Sequence, residues 1–174
     1  MNGRRIDYFL LTDKESCCGL PEFEMGRKKE ARSLAKKNFD LFKENSVKKI
    51  IASSPECYHM FKNIYPKLVN GWDIEVEHAS ITILKALKKE GIKVGGSEEE
   101  KEVVSYHDSS YLGRWCLIFE EPREVVRTLG GRIVEIRENR ENSISCGSGG
   151  GVYNNFPEIS IGSAKIVSSK ISHS

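Results

Sequence analysis

The sequence has no surplus of either charge. Its 27 lysines and arginines meet 25 aspartates and glutamates, leaving a net charge of +2. Nucleic acid and acidic membrane surfaces are therefore not expected partners. No apolar run approaches the roughly 20 residues of a membrane helix, so direct membrane insertion is not expected either. The N-terminal Met1-Asn2-Gly3-Arg4-Arg5 runs into a short strand-like stretch and lacks the apolar core of a signal peptide. A reducing cytoplasm is the expected setting. Disulfides are rare there, and the five cysteines point instead to metal or redox duty. His59 and His78 lack a second ligand at helical spacing, which predicts core or surface roles. The glycine run Gly147-Ser148-Gly149-Gly150-Gly151 lacks the lysine and Ser/Thr of a Walker loop, and Val152 breaks the dinucleotide fingerprint. A close backbone approach to a bound group, or to an opposing half of the fold, accounts for it better.

What is present is ordinary in amount, with 39% hydrophobic and 30% charged residues. The 174 residues suit one domain, or two small halves sharing a core. Tyr8-Phe9-Leu10-Leu11 reads as a buried strand. A helix is predicted over roughly 27–44, with Ala31, Leu34, Ala35, Phe39 and Phe42 at helical spacing and a basic outer face. Val47 to Ala52 reads as a strand. Ser53-Ser54-Pro55 reads as a helix entry, and Pro66 as the end of that helix. Ile74 to His78 alternates as a strand, followed by a Ser80-capped helix that Gly91 closes. Gly95 to Glu102 reads as a boundary, dividing the chain into halves 1–98 and 99–174. In the second half a strand is expected at 103–106 and a helix at 112–119. A further helix should run from Pro122 to Leu129, and a strand lies around Ile133, Val134 and Ile136. The tail from Ser163 is weakly amphipathic. Strands alternating with helices predict an α/β fold: two Rossmann-like parallel half-sheets with helices on both faces, weakly duplicated.

The chain is organised around Ser16-Cys17-Cys18-Gly19 and its thinner echo Ile144-Ser145-Cys146-Gly147. Two adjacent thiolates on a turn can reach one metal centre, and glycine lets the backbone crowd close to it. Ser54-x-x-Cys57 has the shape of a CxxC with serine in first place, separated from Cys18 by 35 residues. Ser110 is separated from Ser145-Cys146 by 34 residues. Each of these positions follows a predicted strand, and carboxyl ends of strands carry ligand sites in open α/β sheets. The spacing predicts that they gather on one rim.

Several stretches together carry a family resemblance. They are Cys17-Cys18-Gly19, Ser54-Pro55-Glu56-Cys57-Tyr58, Tyr106 to Arg114, Glu121-Pro122-Arg123-Glu124 and Ser145 to Gly151. In order and interval they resemble the cysteine-rich CCG domain found in the B and D components of heterodisulfide reductase and in related iron–sulfur proteins. The resemblance runs from about Tyr8 to Ile161. It implies an iron–sulfur cluster at each complete copy of a cysteine, a cysteine pair and a CxxC, with electron-transfer or thiol–disulfide chemistry. Carried over, Cys17, Cys18 and Cys57 fall on ligand positions of the first copy and Cys146 on one of the second. Ser54, Ser110 and Ser145 stand where the pattern has cysteines, and Cys116 matches none. Against that pattern the chain is degenerate and short at both ends. The implied partners are a ferredoxin-type iron–sulfur subunit, a flavoprotein or a membrane cytochrome.

Serine is a harder donor that stays protonated near neutral pH, so a second reading stands beside the redox one. It is a cluster-free binding or assembly module descended from the same fold. Cys116, beside Trp115, reads as a packed thiol. His107-Asp108 reads as a ring bonded to backbone near a helix start, or else as a general base with its orienting carboxylate. Arg123 reads as part of a helix start, or as a contact for an anionic substrate.

Overall fold

The computed structural model describes residues 7–92 and 101–171. The first half runs α1 (Leu20–Glu24), α2 (Lys28–Glu44), β1 (Lys49–Ala52) and α3 (Pro55–His59). A π-helical turn (Met60–Ile64), α4 (Tyr65–Leu68), β2 (Glu75–His78) and α5 (Ala79–Glu90) follow. The second half holds β3 (Val103–Val104), α6 (Glu120–Thr128), β4 (Arg132–Ile133), α7 (Val152–Asn155) and α8 (Pro157–Ile171). β1 pairs in parallel with β2, Lys49 opposite Glu75 through Ala52 opposite His78. β3 pairs in parallel with β4. The fold is α/β, with a two-stranded parallel sheet in each half.

α2 forms where its apolar spacing predicted it, burying Ala31, Ala35 and Phe39 beneath a charged outer face. Its buried side packs with Tyr58, Met60, Phe61, Ile64 and Tyr65 from the helix after β1, and with Ile74 and Val76 of the β2 region. Leu112 and Ile118 from the second half join the same cluster, so the halves share one core.

Several local expectations change. Tyr8–Leu11 forms no strand. Tyr8, Phe9 and Leu10 are 71%, 63% and 66% exposed, because an apolar run becomes a strand only where a sheet edge receives it. Cys17 and Cys18 accordingly follow a 3₁₀ turn at Thr12–Lys14 rather than a strand. Pro66 does not end its helix. The π turn just before it absorbs the missing amide donor, and the chain stays helical to Leu68. α5 is capped by the His78 ring, which accepts from the Ser80 amide at 3.2 Å, and is closed by Gly91 at φ +64°. Residues 112–119 form turns and no helix. Leu117 sits at φ +57°, and Gly113 is pressed so close to the Phe119 ring that a Cβ would meet it at 2.6 Å. The tail forms the longer helix α8, starting at Pro157. Most of the boundary expected at Gly95–Glu102 lies outside the described residues. No described helix is long and apolar enough to cross a membrane.

Candidate functional site

The cysteine loop is built by hydrogen bonds to its backbone. Gly19, at φ +85°, turns the chain into α1 in a conformation that L side chains rarely adopt. Its amide donates to Cys17 Sγ at 3.4 Å. Beneath the loop lie two fully buried polar side chains, Asn38 of α2 and Tyr65 of α4. Asn38 Nδ2 donates to the Cys17 carbonyl at 3.0 Å and to the Tyr65 hydroxyl at 2.9 Å. The Tyr65 hydroxyl donates in turn to the Cys18 carbonyl at 3.0 Å. Buried carbonyls cost free energy unless paired, so this clamp fixes the direction in which both thiols leave the loop.

The second arm comes from the end of β1. Ser54 caps α3: its Oγ accepts from the Cys57 amide at 3.3 Å and donates to Glu56 Oε2 at 2.9 Å. Capping fixes Cys57 in the first turn, where its thiol meets that of Cys18. The two share a hydrogen bond, which lowers Cys57 to a pKa of about 6 and raises Cys18. Burial works against the Cys57 thiolate, the Ser54 side chain favours it and Glu56 opposes it. The pair thus holds one proton between two sulfurs, with the charge mainly on Cys57 near neutral pH.

Cys18, Cys57 and Ser54 are therefore brought together, with the exposed Cys17 on the same loop. The second-half positions are tied differently. Ser110 Oγ accepts from Arg114 Nη2 at 2.6 Å, and Arg114 reaches the Ser143 carbonyl through Nη1. Ser145 Oγ accepts from the Gly147 amide at 3.2 Å. Cys146 is exposed, with Sγ 3.1 Å from Ser148 Oγ. Among the described residues, no three His, Cys, Asp or Glu side chains converge as a metal-holding group.

His107-Asp108 anchors the Cys146 loop. His107 Nε2 donates to the Ile144 carbonyl at 2.8 Å, and Ser143 Oγ donates to the Asp108 carbonyl at 3.0 Å. The Asp108 carboxylate is committed to Arg123 through two bonds of 2.7 Å, and it also accepts from the Arg140 amide at 2.7 Å. Burial would raise Asp108, but Arg123 and the Arg140 amide pull it below the ordinary range. Arg123 is fully buried and also grips Glu135 at 2.8 and 2.9 Å. A contact with an anionic substrate is thereby ruled out for Arg123, and no free base remains at Asp108.

The two loops meet across the halves. α1 packs on the 3₁₀ turn Gly149–Gly151, and Glu24 of α1 bonds the Tyr111 hydroxyl and the Gly150 backbone. Gly147, at φ +84°, lies so near α8 that a Cβ would stand 2.9 Å from Ser160 Cα. The glycine run thus serves close approach to both neighbours.

Asn38, Tyr65 and Glu24 were not singled out from the sequence. Asn38 carried a usable signal: a polar residue among Ala31, Ala35, Phe39 and Phe42 on a buried helix stripe needs a partner. Tyr65 carried no such signal, because its hydroxyl partner lies 47 residues away at Cys18.

A half-buried thiolate paired with a second thiol, on a loop held by its backbone, is a donor set suited to thiol redox chemistry or metal ligation. Residues 4–62 match the family described as the CCG cysteine-rich domain. A probable iron–sulfur-binding oxidoreductase of Bacillus subtilis (strain 168) is 35% identical over 153 residues, 87% of this chain and 21% of that protein. An EtfAB:quinone oxidoreductase of Syntrophomonas wolfei is 34% identical over 151 residues, again 87% and 21%. The D component of the dihydromethanophenazine:CoB–CoM heterodisulfide reductase of Methanosarcina acetivorans is 30% identical over 170 residues, 95% of this chain and 41% of that protein. The chain thus spans about a fifth of the first two relatives and about two fifths of the third. These similarities extend into the second half, whereas the family match stops at residue 62. No solved structure matches the chain.

Proposed function

We propose that this chain is an iron–sulfur oxidoreductase component of the heterodisulfide-reductase type, with Cys17, Cys18 and Cys57 as its cluster-holding thiols. The observation that carries the reading is the Cys18–Cys57 pair, already ionised at one sulfur near neutral pH within the family-matched segment. Soft thiolates suit iron, so the donor chemistry fits such a group. A bound cluster would supply one-electron transfer. The chain's own residues do the rest. Asn38 and Tyr65 hold the loop carbonyls so that the thiols stay presented. Ser54 positions Cys57 through the helix cap and favours its thiolate. Glu24, Tyr111 and Gly150 close the second half against the loop.

The corresponding second-half positions, Ser110, Ser145 and Cys146, belong to the same proposed ancestry and contribute one thiol. The halves are proposed as 1–98 and 99–174. The named relatives include components of redox assemblies, which supports a ferredoxin-type subunit, a flavoprotein or a membrane cytochrome as electron partner. Five free thiols suit the reducing cytoplasm.

Anaerobic reconstitution with ferrous iron and sulfide tests the reading. Iron and sulfide should be retained by the wild-type chain, lost in Cys57→Ala and kept in Cys116→Ala. A colourless, iron-free protein after reconstitution, or equal iron in Cys57→Ala, would overturn it and leave the cluster-free module.

A further inference from the structure

A second group of chemically capable side chains stands apart from the Cys18–Cys57 pair, where the π turn meets the turn region of the second half. His59 ends α3 and Asn63 lies within the π turn, four residues on. Such turns are often found at functional sites. Here the turn sets the two side chains edge to edge, Asn63 Nδ2 at 3.1 Å from His59 Nδ1. Cys116 arrives from the other half of the chain. Its Sγ is 3.8 Å from His59 Nδ1 and 3.5 Å from Asn63 Nδ2. The His59 ring is flanked by Tyr111 at 5.8 Å and Trp115 at 5.6 Å, and Trp115 is 64% exposed. The proposed redox chemistry uses none of His59, Asn63 and Cys116.

The three polar ends form a triangle with edges of 3.8, 3.5 and 3.1 Å. A tetrahedral ion with bonds of about 2.0–2.3 Å has ligand–ligand edges of roughly 3.3–3.8 Å. Two edges fall in that range and the third lies about 0.2 Å below it. The amide of Asn63 can present either end, and turning it over replaces Nδ2 with Oδ1 at the same place. Turning it over gives up the Nδ2 contacts to His59 Nδ1, Cys116 Sγ and the Trp115 carbonyl, the first two being replaced by shared bonds to the ion.

We propose that Cys116 Sγ, His59 Nδ1 and Asn63 Oδ1 form a three-donor site for a borderline-soft divalent ion such as zinc, separate from the Cys18–Cys57 thiols. Binding displaces the Cys116 thiol proton to solvent. His59 meets the ion as a neutral ring, with Nδ1 as the donor and the proton on Nε2. Three protein donors leave a fourth position for water or another exchangeable ligand, beside the exposed Trp115. Because the donors come from both halves, the ion also ties α3 and the π turn to the turn region around Cys116.

Cobalt(II) is the probe, added to the metal-free full-length chain under anaerobic conditions with thiols reduced. In Cys57→Ala, which removes the ionised thiol of the proposed cluster site, the expected result is one equivalent bound with a thiolate-to-cobalt charge-transfer band and the visible bands of a tetrahedral ion. Adding Cys116→Ala to that variant should abolish the charge-transfer band. His59→Ala and Asn63→Leu should each weaken binding at least tenfold, and Asn63→Asp should restore or tighten it. Zinc should displace the cobalt and bleach the spectrum. Absence of the band in Cys57→Ala would overturn the proposal whatever the other variants do. So would its retention when Cys116→Ala is added, or affinity unchanged when Asn63→Leu is added. Iron and sulfide retention reports separately on the cluster reading, so either proposal can fail alone.

Discussion

Replacing Tyr65 with Phe removes one oxygen and almost no volume. That oxygen donates to the Cys18 carbonyl and accepts from Asn38 Nδ2 in a fully buried setting. Asn38 keeps its bond to the Cys17 carbonyl, so the amide is left half satisfied, while the Cys18 carbonyl loses this donor. With each abandoned buried polar group costing about 1–3 kcal/mol, the variant should lose about 2–4 kcal/mol. At a urea slope of about 1–3 kcal/mol/M, the midpoint should fall by roughly 1–2 M. The clamp also has a chemical consequence. Once the Cys18 carbonyl is released, the Cys18 thiol is held less firmly against Cys57, and the Cys57 titration should move upward from about 6. Iodoacetamide alkylation of the metal-free protein as a function of pH, with the labelled peptide identified by mass spectrometry, reads that shift. A stability loss under about 0.5 kcal/mol together with an unmoved Cys57 profile would refute the clamp.

Arg123→Met should cost about 3–5 kcal/mol, because it leaves the buried Asp108 carboxylate without its cation. In the wild-type chain Asp108 and Glu135 both have lowered pKa values, so their contribution is present at neutral pH and fades as pH falls through those values. Without Arg123, burial raises Asp108, and stability should instead increase on acidification from pH 7 to about 5. Urea melts across that range should show the variant gaining stability where these carboxylates leave the wild-type chain unchanged; parallel slopes would contradict the assignment. The Cys18–Cys57 pair gives a dome. Between about 6 and the ordinary thiol value of about 8.5 the native pair holds one proton where the unfolded chain holds two, so stability rises with pH. Above that the raised Cys18 keeps its proton while the unfolded thiols ionise, and stability falls. Cys57→Ala should remove the rising limb, and a rising limb that persists would show that another group causes it.

The cysteine loop, the capped helix after β1 and the parallel pairing were all legible from residue order. Ser54-Pro55 signals a helix start by local chemistry alone, and α2 announces itself by spacing. Tyr8–Leu11 was not legible, since the same apolar run suits a strand with a partner or an exposed segment without one. Residues 112–119 misled for a similar reason. Their apolar content suits a helix, but the packing of Gly113 on Phe119 and the left-handed Leu117 turn the chain back on itself. Arg123 looked free to meet a substrate because its partners, Asp108 and Glu135, are distant in sequence.

By itself the sequence determined the thiol positions, the helix entry that presents Cys57 and the match of residues 4–62 to the CCG cysteine-rich domain, because these depend on residue type and near-neighbour spacing. The tertiary structure alone decided which thiol carries the charge, which buried groups hold the loop and which side chains from the two halves meet. Those outcomes depend on contacts such as Tyr65 with Cys18 and Cys116 with His59, which local propensity does not encode. A thiol's acidity and a carbonyl's cost are set by what surrounds them once water has been displaced, and folding supplies those surroundings.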